Sequence, residues 1–180
     1  MQTGMQLSFG RAVGKAAILK RFANVDAIPI VLKTKNSKEI VSIVQALAPT
    51  FGAIQLEDIA SPNCFFIEEE LEKTLPIPVM HDDQHGTAIV VLAALINAMR
   101  VVKKTKEKSR IVISGAGAAG IAVTKILLAY GFRFVTLLDS KGVVSSLRFN
   151  LNEIKKSIAH LLTPVGKTLT DAIEESDVFI

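Results

Sequence analysis

The chain has no tryptophan, one tyrosine (Tyr130) and one cysteine (Cys64) among its 180 residues. With aromatics at only 6%, base stacking has little to work with, and a nucleic-acid partner is not expected. A single cysteine excludes an internal disulfide and fits a reducing compartment, so a cytoplasmic location is expected. Long apolar runs are also missing. The longest, Ala88 to Ile96, stops at Asn97 and Arg100, well short of the roughly 20 residues that span a bilayer. The first stretch, MQTGMQLSFGRAVGKAAILKRF, has no apolar core ending in a cleavage site. No membrane partner is expected. There is little charge imbalance either: the net charge is +4, and much of it sits in Lys103, Lys104, Lys106, Lys108 and Arg110. Thr105, Glu107 and Ser109 interrupt that run, which reads as a solvated connector and not a binding patch.

What remains is a globular composition, 49% hydrophobic and 21% charged, with alternating elements. Helices are expected at 11–22, 38–47 (Asn36 and Glu39 as a capping pair), 62–75, 86–102, 118–130, near 150–161 and at 169–175. Strands are expected at 28–32, 51–56, 77–80, 110–114, 134–138 and from Asp177 onward. Alternation of this kind means an α/β protein with a mainly parallel sheet. The lysine-rich connector divides it into residues 1–102 and 103–180. The strands from residue 110 onward read as the first half of a doubly wound, Rossmann-type sheet. Because the sequence stops inside Asp177-Val178-Phe179-Ile180, a piece of a larger protein is expected.

The stretch RIVISGAGAAGIAVTKILLAYGFRFVTLLDSKG carries a dinucleotide signal in full context. A GxGxxG motif follows a strand and opens a helix, and a second strand after it ends in an acid. Gly115 suits the tight turn, Gly117 the close approach of pyrophosphate, and Gly120 the packing of helix on strand. Ala118 and Ala119 begin the helix whose N-terminus would face the phosphates. Asp139 lies about 20 residues further on, where a carboxylate accepts from ribose hydroxyls. Its charge favours NAD over NADP, and Lys141 softens that preference. The competing reading is a glycine-rich turn that binds nothing.

Two acid pairs each follow an expected strand: Glu57-Asp58 and Asp82-Asp83. Ligands of α/β sheets gather beyond the carboxyl ends of strands, so the pairs can converge. Carboxylates without cysteine suit a hard cation, Mg²⁺ or Mn²⁺. Equally, Asp82 or Asp83 can cap the helix that follows, and Glu57-Asp58 can be a solvated turn. His81 and His85 read as hydrogen-bonded packing residues or as further ligands.

The segment LEDIASPNCFFIEEELEKTLPIPVMHDDQHGTAIVVLAALINA, followed by SGAGAAGIA and LLDSKG, resembles malic enzyme of the bacterial NAD-linked type over roughly residues 14 to 180. The resemblance implies Glu57, Asp58 and Asp83 as ligands of a divalent metal. It implies Asp82 beside a catalytic lysine, matched by Lys15 in AVGKAAIL ahead of ANVDAIPIVL. From the residues alone, Lys15 reads as an exposed helix lysine. The implied reaction is oxidative decarboxylation of malate to pyruvate and CO₂ with reduction of NAD, and the implied state of an intact enzyme is a homo-oligomer. Three features depart from the family. Residues 1–13 do not match its glycine-rich approach to the lysine, no upstream tyrosine is present to protonate the enolate, and no later Asn-Pro segment follows. A catalytically inactive remnant that at most binds nucleotide and metal is therefore the alternative. A different metal-assisted hydroxy-acid dehydrogenase explains HDDQHGTA less well.

Overall fold

The computed structural model describes the backbone of residues 2–180 and the side chains of residues 9–180. Helix α1 runs over Gln2–Ala23 and ends in Lys20 and Arg21, which suit the negative end of its dipole. Residues 24–36 follow without regular structure, so the strand expected at 28–32 does not form. Pro29 offers no N–H to a ladder, and Ile28 and Ile30 stand 66% and 45% exposed with no strand beside them.

Helix α2, Ser37–Leu47, starts at Asn36, whose side chain accepts from the N–H groups of Lys38 and Glu39. The return arm of the expected capping pair goes elsewhere: Glu39 accepts from the Thr34 hydroxyl. Helix α3, Asn63–Thr74, packs on α2 beneath two short strands, β1 (Ile54–Leu56) and β2 (Val79–His81). These strands pair in parallel with Leu56 opposite His81. Ile40, Val44, Leu56, Ile67, Leu71 and Val79 form a small core between the helices and the strand pair. The strand ends, and the acids after them, are thereby set side by side.

Helix α4, Asp82–Val102, begins at Asp82 and not at Gly86, about one turn earlier than its glycine suggested. It ends at Lys103 in a left-handed conformation, φ 55°. By length and composition it is the described helix apolar enough to cross a bilayer, with mean hydropathy 1.7. One face of it packs on α5, burying Ala88, Leu95 and Met99.

Beyond the connector lie β3 (Arg110–Ser114), α5 (Ala118–Tyr130), β4 (Phe134–Asp139), β5 (Gly142–Val143), α6 (Glu153–Ala159), α7 (Leu169–Ile173) and β6 (Val178–Phe179). The sheet order is β5-β4-β3-β6. Strands β4 and β6 flank β3 in parallel, and β5 closes the edge of β4 antiparallel. The strand order therefore reverses at β3, which makes its carboxyl end a topological switch point, the usual ligand crevice of an open α/β sheet. One face of β3, through Ile111 and Ile113, packs into a large core with Ile121 and Leu127 of α5. That core also takes in Leu95 and Met99 of α4 and Cys64 and Phe65 of α3. It runs across the lysine-rich connector, because the inner face of α4 packs on α5. Val112 and Leu138 point to the other face, with Val143 and Ala172.

Candidate active site

The parallel pairing of β1 and β2 places Glu57-Asp58 next to Asp82-Asp83. The four acids do not lie idle. Lys15, from the middle of α1, donates to Asp82 and lies 2.9 Å from Glu57 Oε1. Asp58 pairs with Arg11, one helical turn before Lys15, at 2.8 Å. Asp83 Oδ2 accepts the backbone N–H of Asp58 at 3.1 Å. Asp58 itself sits at φ 57°, a left-handed conformation uncommon outside glycine. Burial would pull the Lys15 amine down, but Asp82 and Glu57 outweigh it and hold its pKa above the ordinary value. Lys15 is an ammonium in this arrangement.

Neither aspartate caps α4 through its side chain. Its N-cap is His81, with no side-chain cap bond, and Asp82 and Asp83 occupy the first turn, where the helix dipole favours negative charge. Asp82 turns back along the helix over Gly86, and a Cβ at position 86 would lie 2.4 Å from Asp82 Oδ1. The glycine of HDDQHG therefore serves the aspartate before it. His81 is fully buried and both ring nitrogens lack partners, with Nε2 3.6 Å from Asp83 Oδ2. Burial keeps its imidazole below the usual pKa, and hence neutral, against the pull of Asp83 and Glu68. His85 is half exposed and pairs with Glu68 at 3.0 Å.

Glu68 is the participant that sequence reasoning missed. It lies in the EEE run of α3, which looks like a solvated helix face. Instead Glu68 is buried and accepts from the His81 N–H at 2.6 Å and from Gln84 Nε2 at 2.8 Å. The signal available in the sequence is its spacing: Glu68 follows Cys64 by one helical turn and precedes Leu71 on the same apolar face.

Glu57, Asp58 and Asp83 offer only carboxylate oxygens, the hard ligands that Mg²⁺ or Mn²⁺ requires. An unpartnered buried imidazole stands directly behind Asp83. The residues fit such an ion in kind. Among the described residues no three acids or histidines are gathered closely around one point, because Glu57 faces Lys15 and Asp58 faces Arg11.

The second part of the site lies at the switch point of the larger sheet. Gly115 takes φ +127°, and a Cβ on Gly120 would fall 1.7 Å from the Gly115 carbonyl oxygen. Both glycines are required by the turn itself. Gly117 is not: its φ is −91° and a Cβ there would meet nothing within 4 Å. Its open side is where a pyrophosphate would approach. Gly117 is also the N-cap of α5 and provides no side-chain cap, so the first N–H groups, beginning at Ala118 and Ala119, are free for an anion. A 390 Å³ cleft alongside is lined by Ser114, Asp139, Lys141, Lys167 and Thr168 among others.

Asp139 ends β4 as expected, but it is already engaged. Arg148 donates to both its oxygens, at 2.9 and 3.3 Å. Lys155 donates at 2.6 Å and the Lys141 N–H at 2.9 Å. Burial opposes its ionisation, yet these donors outweigh burial and hold the carboxyl well below the ordinary value. Two cations against one carboxylate leave the pocket positive.

Comparison with known proteins identifies the family. Residues 84–177 match the family model "Malic enzyme, NAD binding domain", and residues 35–72 match "Malic enzyme, N-terminal domain". The chain belongs to the malic enzyme family. It is 49% identical over 170 residues to the bifunctional malic/malolactic enzyme of Bacillus subtilis, covering 93% of this chain and 42% of that protein. Against the NAD-dependent malic enzyme of Geobacillus stearothermophilus it is 50% identical over 169 residues, with coverage of 93% and 35%. The NADP-dependent malic enzyme of Escherichia coli is 44% identical and is covered to 22%. Among solved structures, the NAD-dependent malic enzyme of Thermotoga maritima superposes with a TM-score of 0.89 at 43% identity, covering 93% of this chain and 45% of that one. The chain thus spans less than half the length of these malic enzymes.

Proposed function

We infer that this chain carries the core of an NAD-linked malic enzyme, which converts malate to pyruvate and CO₂ with a divalent metal. The observation that supports it most is the meeting of Lys15 with Asp82 and Glu57 beside Asp58 and Asp83, a lysine brought from another helix onto two strand ends. Glu57, Asp58 and Asp83 would hold Mg²⁺ or Mn²⁺, and Gly115, Gly117, Gly120 and Asp139 the nucleotide. When bound, the nucleotide would supply a hydride acceptor and the metal a Lewis acid for the substrate oxygen. Lys15 Nζ takes the C2 hydroxyl proton as general base, which requires the free amine. Its carboxylate neighbours oppose that state, and drawing Glu57 to another cation would remove part of that opposition. Asp82 holds Lys15 in line meanwhile.

NAD is the cofactor proposed, supported by the matched NAD-binding domain and the NAD-dependent relatives. The positive surroundings of Asp139, with Arg148 and Lys155, would also receive a 2′-phosphate, and NADP-dependent relatives exist. A cytoplasmic location is proposed with it, in keeping with the buried, unpaired Cys64. The test is formation of reduced cofactor, followed by absorbance, from malate with NAD or NADP and Mn²⁺. No reduced cofactor from folded protein would exclude turnover by this chain. Binding of NAD and Mn²⁺ without turnover would favour a non-catalytic binding module. That second reading draws on Tyr130, the one tyrosine, which lies at the end of α5 beneath Lys106 and not among the acids.

A further inference from the structure

Helix α4 lacks the usual device for holding its own start. Its N-cap side chain makes no cap bond, and the turn before it is buried at His81. A buried N–H without a partner is costly, so something outside the helix must supply one. Glu68 does so from α3, and its two oxygens are divided over the motif. Oε1 takes the His81 N–H and lies 3.0 Å from His85 Nε2, and Oε2 takes the Gln84 amide. These three groups bracket Asp82 and Asp83 on both sides. Neither aspartate touches Glu68, yet the backbone that carries them is pinned by it. A buried carboxylate is costly unless it is well paired, and here the pairing goes wholly into one turn of another element.

We propose that Glu68 is a positioning residue for the malic enzyme site: it fixes the HDDQH turn so that Asp82 faces Lys15 and Asp83 faces Asp58. The proposal rests on the reading of Asp83 as a metal ligand, and it extends that reading to a residue on the preceding helix. It also gives HDDQH a division of labour. The two aspartates face the site, while His81, Gln84 and His85 anchor the turn to Glu68.

The test measures Mn²⁺ affinity by calorimetry, and thermal melting on the same samples, for the full chain and for Glu68→Ala, Glu68→Gln and Asp83→Asn. Carboxyl carbon shifts of Asp82 and Asp83 are read by NMR without metal. Glu68→Ala is expected to weaken Mn²⁺ binding by about 10–100-fold, the usual effect of losing a group that orients a ligand. Glu68→Gln keeps an oxygen for the His81 N–H, and a flip of the Gln84 amide restores the second bond, so affinity should recover to within a few fold. The aspartate shifts should move in the alanine variant and return in the glutamine variant. A folded Glu68→Ala protein with wild-type Mn²⁺ affinity and unmoved aspartate shifts overturns the proposal. Normal Mn²⁺ binding by Asp83→Asn would instead overturn the metal reading, and the carboxyl shifts then judge Glu68 alone. If Glu68→Ala does not fold, Glu68→Gln combined with Gln84→Leu replaces it, removing the second bond while retaining the first. Wild-type affinity and shifts in that folded variant would count against positioning.

Discussion

Asp139 shows how far a residue's surroundings can change its meaning. By position it is the acid of a dinucleotide fold. By contacts it is a carboxylate filled by Arg148, Lys155 and the Lys141 N–H, and a ribose must displace one of these. Its folded pKa is depressed, so its contribution to stability is present above the unfolded value of about 3.9 and is lost as the pH falls through the folded one. Asp139→Asn should therefore be less stable than wild type near neutrality. The gap should close as the pH drops below about 4, where the unfolded chain's carboxyl takes up its proton while the folded one is still ionised. Denaturant melts across acid pH measure this, and a gap that is constant with pH would contradict it. Lys15 makes the complementary case: its partners raise its pKa, opposing the free base that the proposed chemistry needs. Nothing in AVGKAAIL announces those partners, because they arrive from β1 and the start of α4.

At the scale of elements, α5 and its glycine loop separate structure from ligand binding. Gly120 is held by the fold, since a Cβ there would collide with the Gly115 carbonyl. Gly117 has open space. Gly120→Ala is expected to destabilise by about 1–3 kcal/mol through overpacking. Gly117→Ala should cost no more than about 1 kcal/mol, that of a poorer N-cap, while weakening NAD binding at least tenfold. Melting and calorimetry on the two variants distinguish them, and equal losses of stability would refute the distinction. The glycine pattern was legible in the sequence because each glycine's task is local. The strand expected at 28–32 was not, since its apolar alternation never met a partner strand. Helix α4 likewise starts at Asp82 and not Gly86 because Glu68 holds its first turn.

For the whole molecule, one core ties α3 and α4 to the larger sheet across the lysine-rich connector. The exposed surface is unusually apolar in places. Phe22 of α1 is 82% exposed and Phe149 fully so, with Ile18, Ile89 and Val90 also outward. Ile18 and Phe22 lie one turn apart on α1, and an exposed apolar patch suits association. The expected outcome is concentration-dependent self-association in sedimentation, reduced by Phe22→Ser together with Ile18→Ser. A monomer at all concentrations would count against a homo-oligomer.

The sequence by itself determined the α/β class, the nucleotide loop, the family and the two acid pairs, because periodicity, glycine spacing and contiguous motifs are written along the chain. Only the tertiary structure decided what each acid faces. Lys15 also reaches Glu57, Arg11 closes on Asp58, Arg148 and Lys155 close on Asp139, and Glu68 turns from an apparent surface charge into the buried anchor of HDDQH. Each of these meetings joins residues that the chain separates and folding brings within a hydrogen bond. A carboxylate's charge, pKa and direction follow from those neighbours, and linear spacing does not specify them.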